Sequence, residues 1–401
     1  MAGRFRRFVL KLGGFFARFS FSYRLTFSDP AFKHLPKRGP VLFVFSKEHK
    51  RDFPLLFSLL GFRNWRLLSP SEEGLTSKER AFAGISSLKA YSEMKKAPSF
   101  LVIALHGEKD YAALLAELKA YPIPVCLLAN DHHYGAFKRA HVNLGMPFLP
   151  GEEETPASLK KRMDALLEQG RLFRKYHVYG LCHISDAIMD LARLLVLPKM
   201  ALFYPTRYLY VSDEAKKNRH IKGRGIAVAN HVAFLDAQMM PRLYPQRRLR
   251  MVVGDIVYRN NGKLMHFWLK QAHVVHVGDA QSDPSLSLQG FAEALELLKA
   301  NALLGIFPEG EIHWNGELGS FHAGVVGLAL LSGAKIYPSY TLRPYRLFHR
   351  QVILIGEAID YRGKGDFNKE TLLVLAHDLE TSMLTLKAQG EAILAQEKAK
   401  K

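Results

Sequence analysis

The strongest constraint on this chain is internal repetition. Residues 35–45 form a lead-in turn and an apolar, strand-like run, and residues 222–229 repeat that design. Each run passes into a polar cluster and then an apolar, helix-like stretch, residues 46–60 in one case and 230–244 in the other. Further on, the apolar run Phe100–Leu105 ends in His106-Gly107-Glu108, and the run over 302–307 ends in Pro308-Glu309-Gly310-Glu311. Residues 121–125 then parallel 334–338, residues 142–145 parallel 353–356, and charged helical segments close the halves around 157–172 and 369–395. Short β-rich runs alternating with helical patterns predict an α/β fold, a mostly parallel sheet with helices on both faces. The shared order predicts two tandem copies of it, residues 1–172 and 173–401.

Composition narrows the partners. The 401 residues, 48% hydrophobic and 23% charged, leave room for two cores. Cys126 and Cys182 supply neither a disulfide framework nor the paired ligands of a structural zinc site, so a reducing compartment and no metal are expected. Fifty-six Lys and Arg against 37 Asp and Glu, net +19, favour an anionic partner, nucleic acid or anionic lipid. No apolar stretch reaches the roughly 20 residues of a spanning helix, and the best, 194–204, is broken by Pro198 and Lys199. Residues 1–28 interleave Arg4, Arg6, Arg7, Lys11, Arg18 and Arg24 with Phe5, Phe8, Phe15, Phe16, Phe19, Phe21 and Tyr23 and carry no acid, a mixture suited to a bilayer interface. Lys11 and Arg18 interrupt the apolar part and no small-residue cleavage site follows, so this segment is expected to stay in the mature chain. Elsewhere the positive charge is dispersed rather than gathered into a stripe, which argues against nucleic acid.

Two short blocks carry chemistry. In Asn230-His231-Val232-Ala233-Phe234-Leu235-Asp236 a buried-type strand delivers an imidazole and a carboxylate five positions apart, where open α/β sheets present their ligand sites. On one regular helix that interval leaves them about 140° apart, so His231 belongs in a turn and Asp236 in the first turn of the following helix. The carboxylate then reaches one ring nitrogen, and the other becomes a base. In Phe307-Pro308-Glu309-Gly310, Pro fixes one dihedral and Gly admits a positive φ, so a carboxylate is held beside exposed backbone N–H groups.

Together, and in this order, the two blocks resemble the signature of the glycerophospholipid acyltransferase family, the lysophosphatidate acyltransferase type. Asn230, His231 and Asp236 match its first block, and Phe307, Pro308, Glu309 and Gly310 its second. Phe321, Gly324, Gly333 and Pro338 match a later element, so the resemblance spans residues 221–356. It implies a membrane-surface acyltransferase that moves a fatty acyl group from acyl-CoA or acyl carrier protein to a hydroxyl of a lysophospholipid such as 1-acylglycerol-3-phosphate. His231 and Asp236 are then catalytic, while Asn230 and the block from Phe307 to Gly310 bind substrate, with Gly310 or Asn230 backbone N–H groups as oxyanion contacts. No metal or redox cofactor is implied. The expected partners are anionic membrane lipids, the lysophospholipid and the acyl carrier, and the expected location is the cytoplasmic face of a membrane. The alternative is a non-catalytic lipid-binding protein derived from this fold.

The sequence departs from the family after Gly310, where Glu311-Ile312-His313 replaces the usual Thr-Arg-Ser, and at 273–279, where the usual arginine is missing. Both arginines are headgroup phosphate contacts in the family. Arg259, Lys263, Arg343 and Arg346 are the substitutes on offer, so the acceptor can differ from plain lysophosphatidate. In the N-terminal half, Ser46-Lys47 stands for Asn-His, with Asp52 at the same interval, and His106 falls at the Glu position. Lysine, with a pKa near 10.4, is protonated at neutral pH and accepts no proton. His49 is only three residues from Asp52, the wrong interval. An inactive N-terminal copy is the expectation.

Overall fold

A computed structural model of the chain describes residues 23–27, 40–46, 52, 55, 65–69, 83, 85–94, 100–105, 108–132, 140–176, 184–221, 223–259, 262–343 and 345–399. Most of the basic aromatic segment, together with Lys47, His49, His106 and Cys182, lies outside them. The chain divides into two compact units, Met1–Lys175 and Tyr176–Lys401. The boundary expected at Leu172 falls in the last turn of the helix Pro156–Lys175, and the unit ends where that helix ends.

The N-terminal unit is built on six strands: β1 Tyr23–Phe27, β2 Val41–Ser46, β3 Trp65–Leu67, β4 Phe100–Leu105, β5 Val125–Asn130 and β6 Ala140–Leu144. They lie in the order β1-β6-β5-β2-β4-β3, with only the β5–β6 pair antiparallel. All of β5 is buried, the continuous apolar pattern of a strand covered on both faces. Helices Glu108–Ala120 and Pro156–Lys175 contribute Leu114, Leu118, Leu159 and Met163 to the core that covers it.

The C-terminal unit has seven strands: β7 Thr206–Tyr210, β8 Gly225–Ala229, β9 Leu249–Gly254, β10 Val275–Val277, β11 Leu303–Ile306, β12 Lys335–Thr341 and β13 Gln351–Ile355. Their order is β10-β9-β11-β8-β12-β13-β7, again with one antiparallel pair, β12–β13. Read from the other edge, β7-β13-β12-β8-β11-β9 has the same sequence rank and the same strand senses as the six strands of the first unit; β10 is the addition. Strands β8, β11 and β13 are buried throughout. Pro338 sits inside β12 opposite Val228, where it offers no N–H, and the adjacent Ser339 hydroxyl donates to the Val228 carbonyl at 3.1 Å.

Pro198 and Lys199 interrupt the apolar run over 194–204, but not the helix that carries it. Pro198 lies within the helix Ile184–Phe203, where Leu194, whose carbonyl loses its intrahelical donor, is 69% exposed and open to water. Among the described residues no helix is long and apolar enough to cross a membrane.

Candidate active site

The parallel strands of the C-terminal unit deliver the two blocks side by side, because β8 and β11 are hydrogen-bonded neighbours and each block begins at its strand's C-terminal end. At the end of β8 the Asn230 side chain is buried and donates to the Thr341 carbonyl at 3.2 Å, while its amide oxygen accepts the Thr341 N–H at 2.8 Å. Asn230 therefore locks the turn to β12. Residues 231–235 form that turn, and the next helix, Asp236–Leu243, starts on Asp236 itself.

From there the Asp236 carboxylate folds back over the turn. Its Oδ2 accepts the Val232 N–H at 2.7 Å, the Ala233 N–H at 2.8 Å and the His231 Nδ1 proton at 2.9 Å. The side chains of His231 and Asp236 are 16% and 3% exposed. A carboxylate acceptor at Nδ1 fixes the tautomer that leaves the Nε2 lone pair unprotonated, and no described residue bonds Nε2. The Phe307 ring stacks on the imidazole, 4.1 Å between centroids and 13° from parallel. The pair is thus braced against the second block.

Glu309, almost fully buried, completes the brace. One of its oxygens accepts the His231 backbone N–H at 2.7 Å and the other the Gly319 N–H at 2.8 Å. The His231 carbonyl in turn accepts the His313 N–H at 2.8 Å, so the peptide groups on both sides of the imidazole are held by the second block and the residues just after it. Burial pushes the Glu309 carboxyl above the ordinary range, against the two N–H donors and the nearby His313 and His231, which favour its ionised form. Gly310 adopts φ +74°, and a Cβ there would meet His322 Nε2 at 2.7 Å, so only glycine fits. Its N–H closes the turn onto the Phe307 carbonyl at 3.1 Å, and is therefore engaged rather than presented as the expected oxyanion donor. Pro308 is buried, and its carbonyl accepts the His322 N–H at 2.9 Å.

The sequence reading missed the parts played by His313, Gly319 and His322. The only trace of them was the departure from the usual residues after Gly310. Of the cations expected to replace the missing arginines, Arg259 is paired with Asp255 at 2.7 Å, and Asp255 also binds His276 at 2.8 Å. Lys263, Arg343 and Arg346 are exposed. Among the described residues no group of three or more His, Cys, Asp or Glu side chains is arranged to hold a metal.

In the N-terminal unit Asp52 is fully buried. It is bound by His132 Nδ1 at 3.0 Å and by the Asn130 amide at 3.1 Å. His132 follows β5 and has a left-handed backbone, φ +52°. The acid is at the expected interval, but the imidazole beside it comes from 80 residues further along the chain. The Asp131-His132-His133 run after an apolar strand was the sequence signal for it.

Residues 210–341 match the family model described as Acyltransferase. Over 134 residues the chain is 31% identical to the 1-acyl-sn-glycerol-3-phosphate acyltransferase of Limnanthes alba, covering 33% of this chain and 46% of that protein. Over 123 residues it is 31% identical to the enzyme of the same name from Limnanthes douglasii, covering 30% and 42%. The chain thus spans less than half the length of these curated relatives. Among solved structures, the 1-acyl-sn-glycerophosphate acyltransferase PlsC of Thermotoga maritima is similar at 18% identity and a TM-score of 0.38, over 59% of this chain and 92% of that one.

Proposed function

Taking residues 210–341 as an acyltransferase-family domain, we propose that the C-terminal unit transfers a fatty acyl group from a thioester to a hydroxyl of a lysophospholipid such as 1-acylglycerol-3-phosphate. The observation that carries this reading is the His231–Asp236 pair, with Nδ1 bound at 2.9 Å and Nε2 turned away from the acid. His231 Nε2 takes the proton of the acceptor hydroxyl as its oxygen attacks the thioester carbonyl. The new C–O bond forms, the C–S bond breaks, and the imidazolium returns its proton to the departing thiolate. Asp236 holds the ring and balances the charge that develops on it. Glu309 fixes the His231 backbone and, through it, where the base stands. The donor is acyl-CoA or acyl carrier protein.

Apolar side chains in the same unit support action at a membrane surface. Leu191, Leu194, Leu195 and Leu202 on the helix Ile184–Phe203, and Ile256, Leu264, Phe267 and Trp268 on the helices Asp255–Arg259 and Lys263–Gln271, are all exposed. The helices Ile184–Phe203 and Lys263–Gln271 touch. Phe234, in the first block, and Trp314, just after the second, form an exposed edge-to-face pair. Apolar surface of this extent suits a lipid interface, and the net charge of +19 draws the chain toward anionic lipids on the cytoplasmic leaflet. The N-terminal unit, with the same strand order and a rearranged acid–imidazole pair, is read as a degenerate, inactive copy.

The test uses the full chain, vesicles of anionic phospholipid, oleoyl-CoA and a panel of lysophospholipids, and follows thiol release. His231→Ala is expected to bring turnover to background while circular dichroism and vesicle binding are retained; substantial activity in that variant refutes the assignment. Residual turnover that disappears on adding His132→Ala would overturn the inactivity of the N-terminal copy. Vesicle binding by the wild-type chain with no thiol release across the panel would point to a non-catalytic lipid binder instead.

A further inference from the structure

Between β12 and β13 the chain makes a tight turn out of residues that turns rarely use. The His349 N–H donates to the Arg346 carbonyl at 3.1 Å, which closes the turn on Leu347 and Phe348 as its two central residues. Phe348 has φ +60°, a conformation that glycine or asparagine normally supplies and that is costly for a large side chain. The turn is firmly held all the same. The buried Gln351 amide donates to the Arg346 and His349 carbonyls at 3.1 and 2.9 Å. The Phe348 N–H donates at 2.7 Å to the carbonyl of Phe203, where the helix Ile184–Phe203 ends, and the two rings meet at 5.4 Å between centroids. Folding alone asks for glycine or a polar residue at such a tip, yet Leu347 is 51% and Phe348 63% exposed. Arg343, Arg346 and Arg350 stand exposed around them, and among the described residues none of the three guanidinium groups has an ion-pair partner. Strand order sets what lies behind the turn. Because β12 runs parallel to β8, its C-terminal end leaves the sheet at the same edge as the catalytic turn, and Asn230 clamps Thr341 there. The helix Ile184–Phe203 ends at that edge too, since β7, which follows it, is parallel to β13 and β13 is antiparallel to β12. Its exposed Leu191, Leu195 and Leu202 share one stripe, which ends beside Phe203.

We propose that the turn 346–349 is a membrane-docking tip, with Leu347 and Phe348 seated at the bilayer interface and Arg343, Arg346 and Arg350 on the phosphates of anionic lipids. An apolar tip ringed by guanidinium groups matches that interface, where rings sit at headgroup level and the planar fork of arginine fits phosphate oxygens. A nucleic acid would satisfy the arginines but leave the tip and the leucine stripe in water. Docking here sets the sheet edge that carries His231 against the bilayer, so a lysophospholipid is reached without leaving the membrane. The proposal deepens the membrane-surface reading above and rests on it. The experiment reads insertion and binding rather than turnover. In the full chain with Cys182→Ser, whose remaining thiol at Cys126 is buried, Leu347→Cys carries a nitrobenzoxadiazole label, and Lys335→Cys, exposed at the opposite end of β12, carries the control label. On vesicles of phosphatidylglycerol and phosphatidylcholine the label at 347 is expected to shift to the blue and to be quenched by a nitroxide lipid, and the label at 335 to do neither. Arg343→Gln/Arg346→Gln/Arg350→Gln is expected to weaken binding to these vesicles about a hundredfold, roughly a factor of five for each charge near an anionic surface. Phe348→Gly is expected to weaken it about tenfold with the melting temperature held, because glycine suits φ +60°. A label at 347 that stays in water overturns the proposal; if the wild-type chain still binds those vesicles, the membrane-surface reading survives it. Binding undiminished in both variants, or a label at 347 that responds to a DNA duplex and not to vesicles, overturns it as well. Insertion at 347 in a chain that releases no thiol with any lysophospholipid upholds the docking tip while sinking the acyl-transfer reading.

Discussion

Replacing Asp236 by asparagine tests the centre of the site, because the structure gives the magnitude. The three hydrogen bonds to Oδ2, at 2.7, 2.8 and 2.9 Å, are charge-assisted. Turning each into a neutral one removes about 1 kcal/mol, roughly 3 kcal/mol in all. For a unit of this size that is a fall in melting temperature of about 6–12 °C. The chemistry loses more than the fold does. An imidazolium whose charge lies ~4 Å from a carboxylate gains about 4 kcal/mol at an effective dielectric of about 20, and that gain arises only after the proton has moved. Its loss lowers kcat about a thousandfold while KM stays near wild type. Single-turnover transfer from a radiolabelled acyl thioester, at a temperature where the variant is fully folded, measures this. The double variant His231→Ala/Asp236→Asn guards against background, since two groups acting in one step give a pair no worse than His231→Ala alone. If Asp236→Asn retained a kcat within about tenfold of wild type, Asp236 would not be balancing charge on His231, and the pair would be a structural contact.

Three further outcomes follow from other parts of the chain. Because burial raises the Glu309 carboxyl above the ordinary range, the native state keeps its proton over a window in which the unfolded chain has released it, so this group's contribution to stability declines as pH rises through that window. Urea midpoints measured from about pH 4.3 upward are expected to show that decline in the wild type and a flatter profile in Glu309→Gln; parallel profiles would remove Glu309 from the account. Cys126 is buried, its thiol donates to the Gly145 carbonyl at 3.2 Å, and desolvation pushes it up to about 12. A Cys182→Ser chain is therefore expected to resist a thiol reagent at neutral pH until urea unfolds it, and prompt labelling of the native protein contradicts the placement of β5. Introducing charge on the exposed apolar helices, in Leu194→Glu/Leu264→Glu, is expected to weaken binding to anionic vesicles at least about tenfold through lost apolar burial, with thermal unfolding unchanged; undiminished binding would put the lipid contact elsewhere.

What could be read from the sequence was what local geometry decides. The five-residue interval from His231 to Asp236 admits one arrangement, imidazole in a turn and acid at the start of a helix, and the helix does begin on Asp236. The turn at Gly310 follows from a single positive φ. What escaped was what strand order decides. Asn230 was expected to face substrate, but β12 lies beside β8 and brings Thr341, 111 residues away, against its amide, which then bonds backbone. The imidazole of the first unit was sought beside Lys47 because local spacing is all a sequence offers. It came instead from His132, at the end of a strand that pairs with β2.

That substitution bears on how the retained acids are to be understood. Asp52 and Asp236 are both buried at the start of the segment that follows the first repeated strand, and each is bound by an imidazole, at 3.0 and 2.9 Å. A carboxylate in that position has to be hydrogen-bonded whether or not any chemistry happens, because a buried, unpaired charge costs several kcal/mol. The acid therefore reports on the fold. In the C-terminal unit the imidazole is held by more than the acid. The His231 peptide is gripped on one side by Glu309 and on the other by His313, and the ring lies against Phe307. A group that only satisfied Asp236 would need none of these three contacts, whereas a base that must meet a hydroxyl in one orientation needs them all. Catalytic assignment should accordingly follow the loop after β11, where Glu309 lies, and not the interval to the aspartate, which both halves of the chain share.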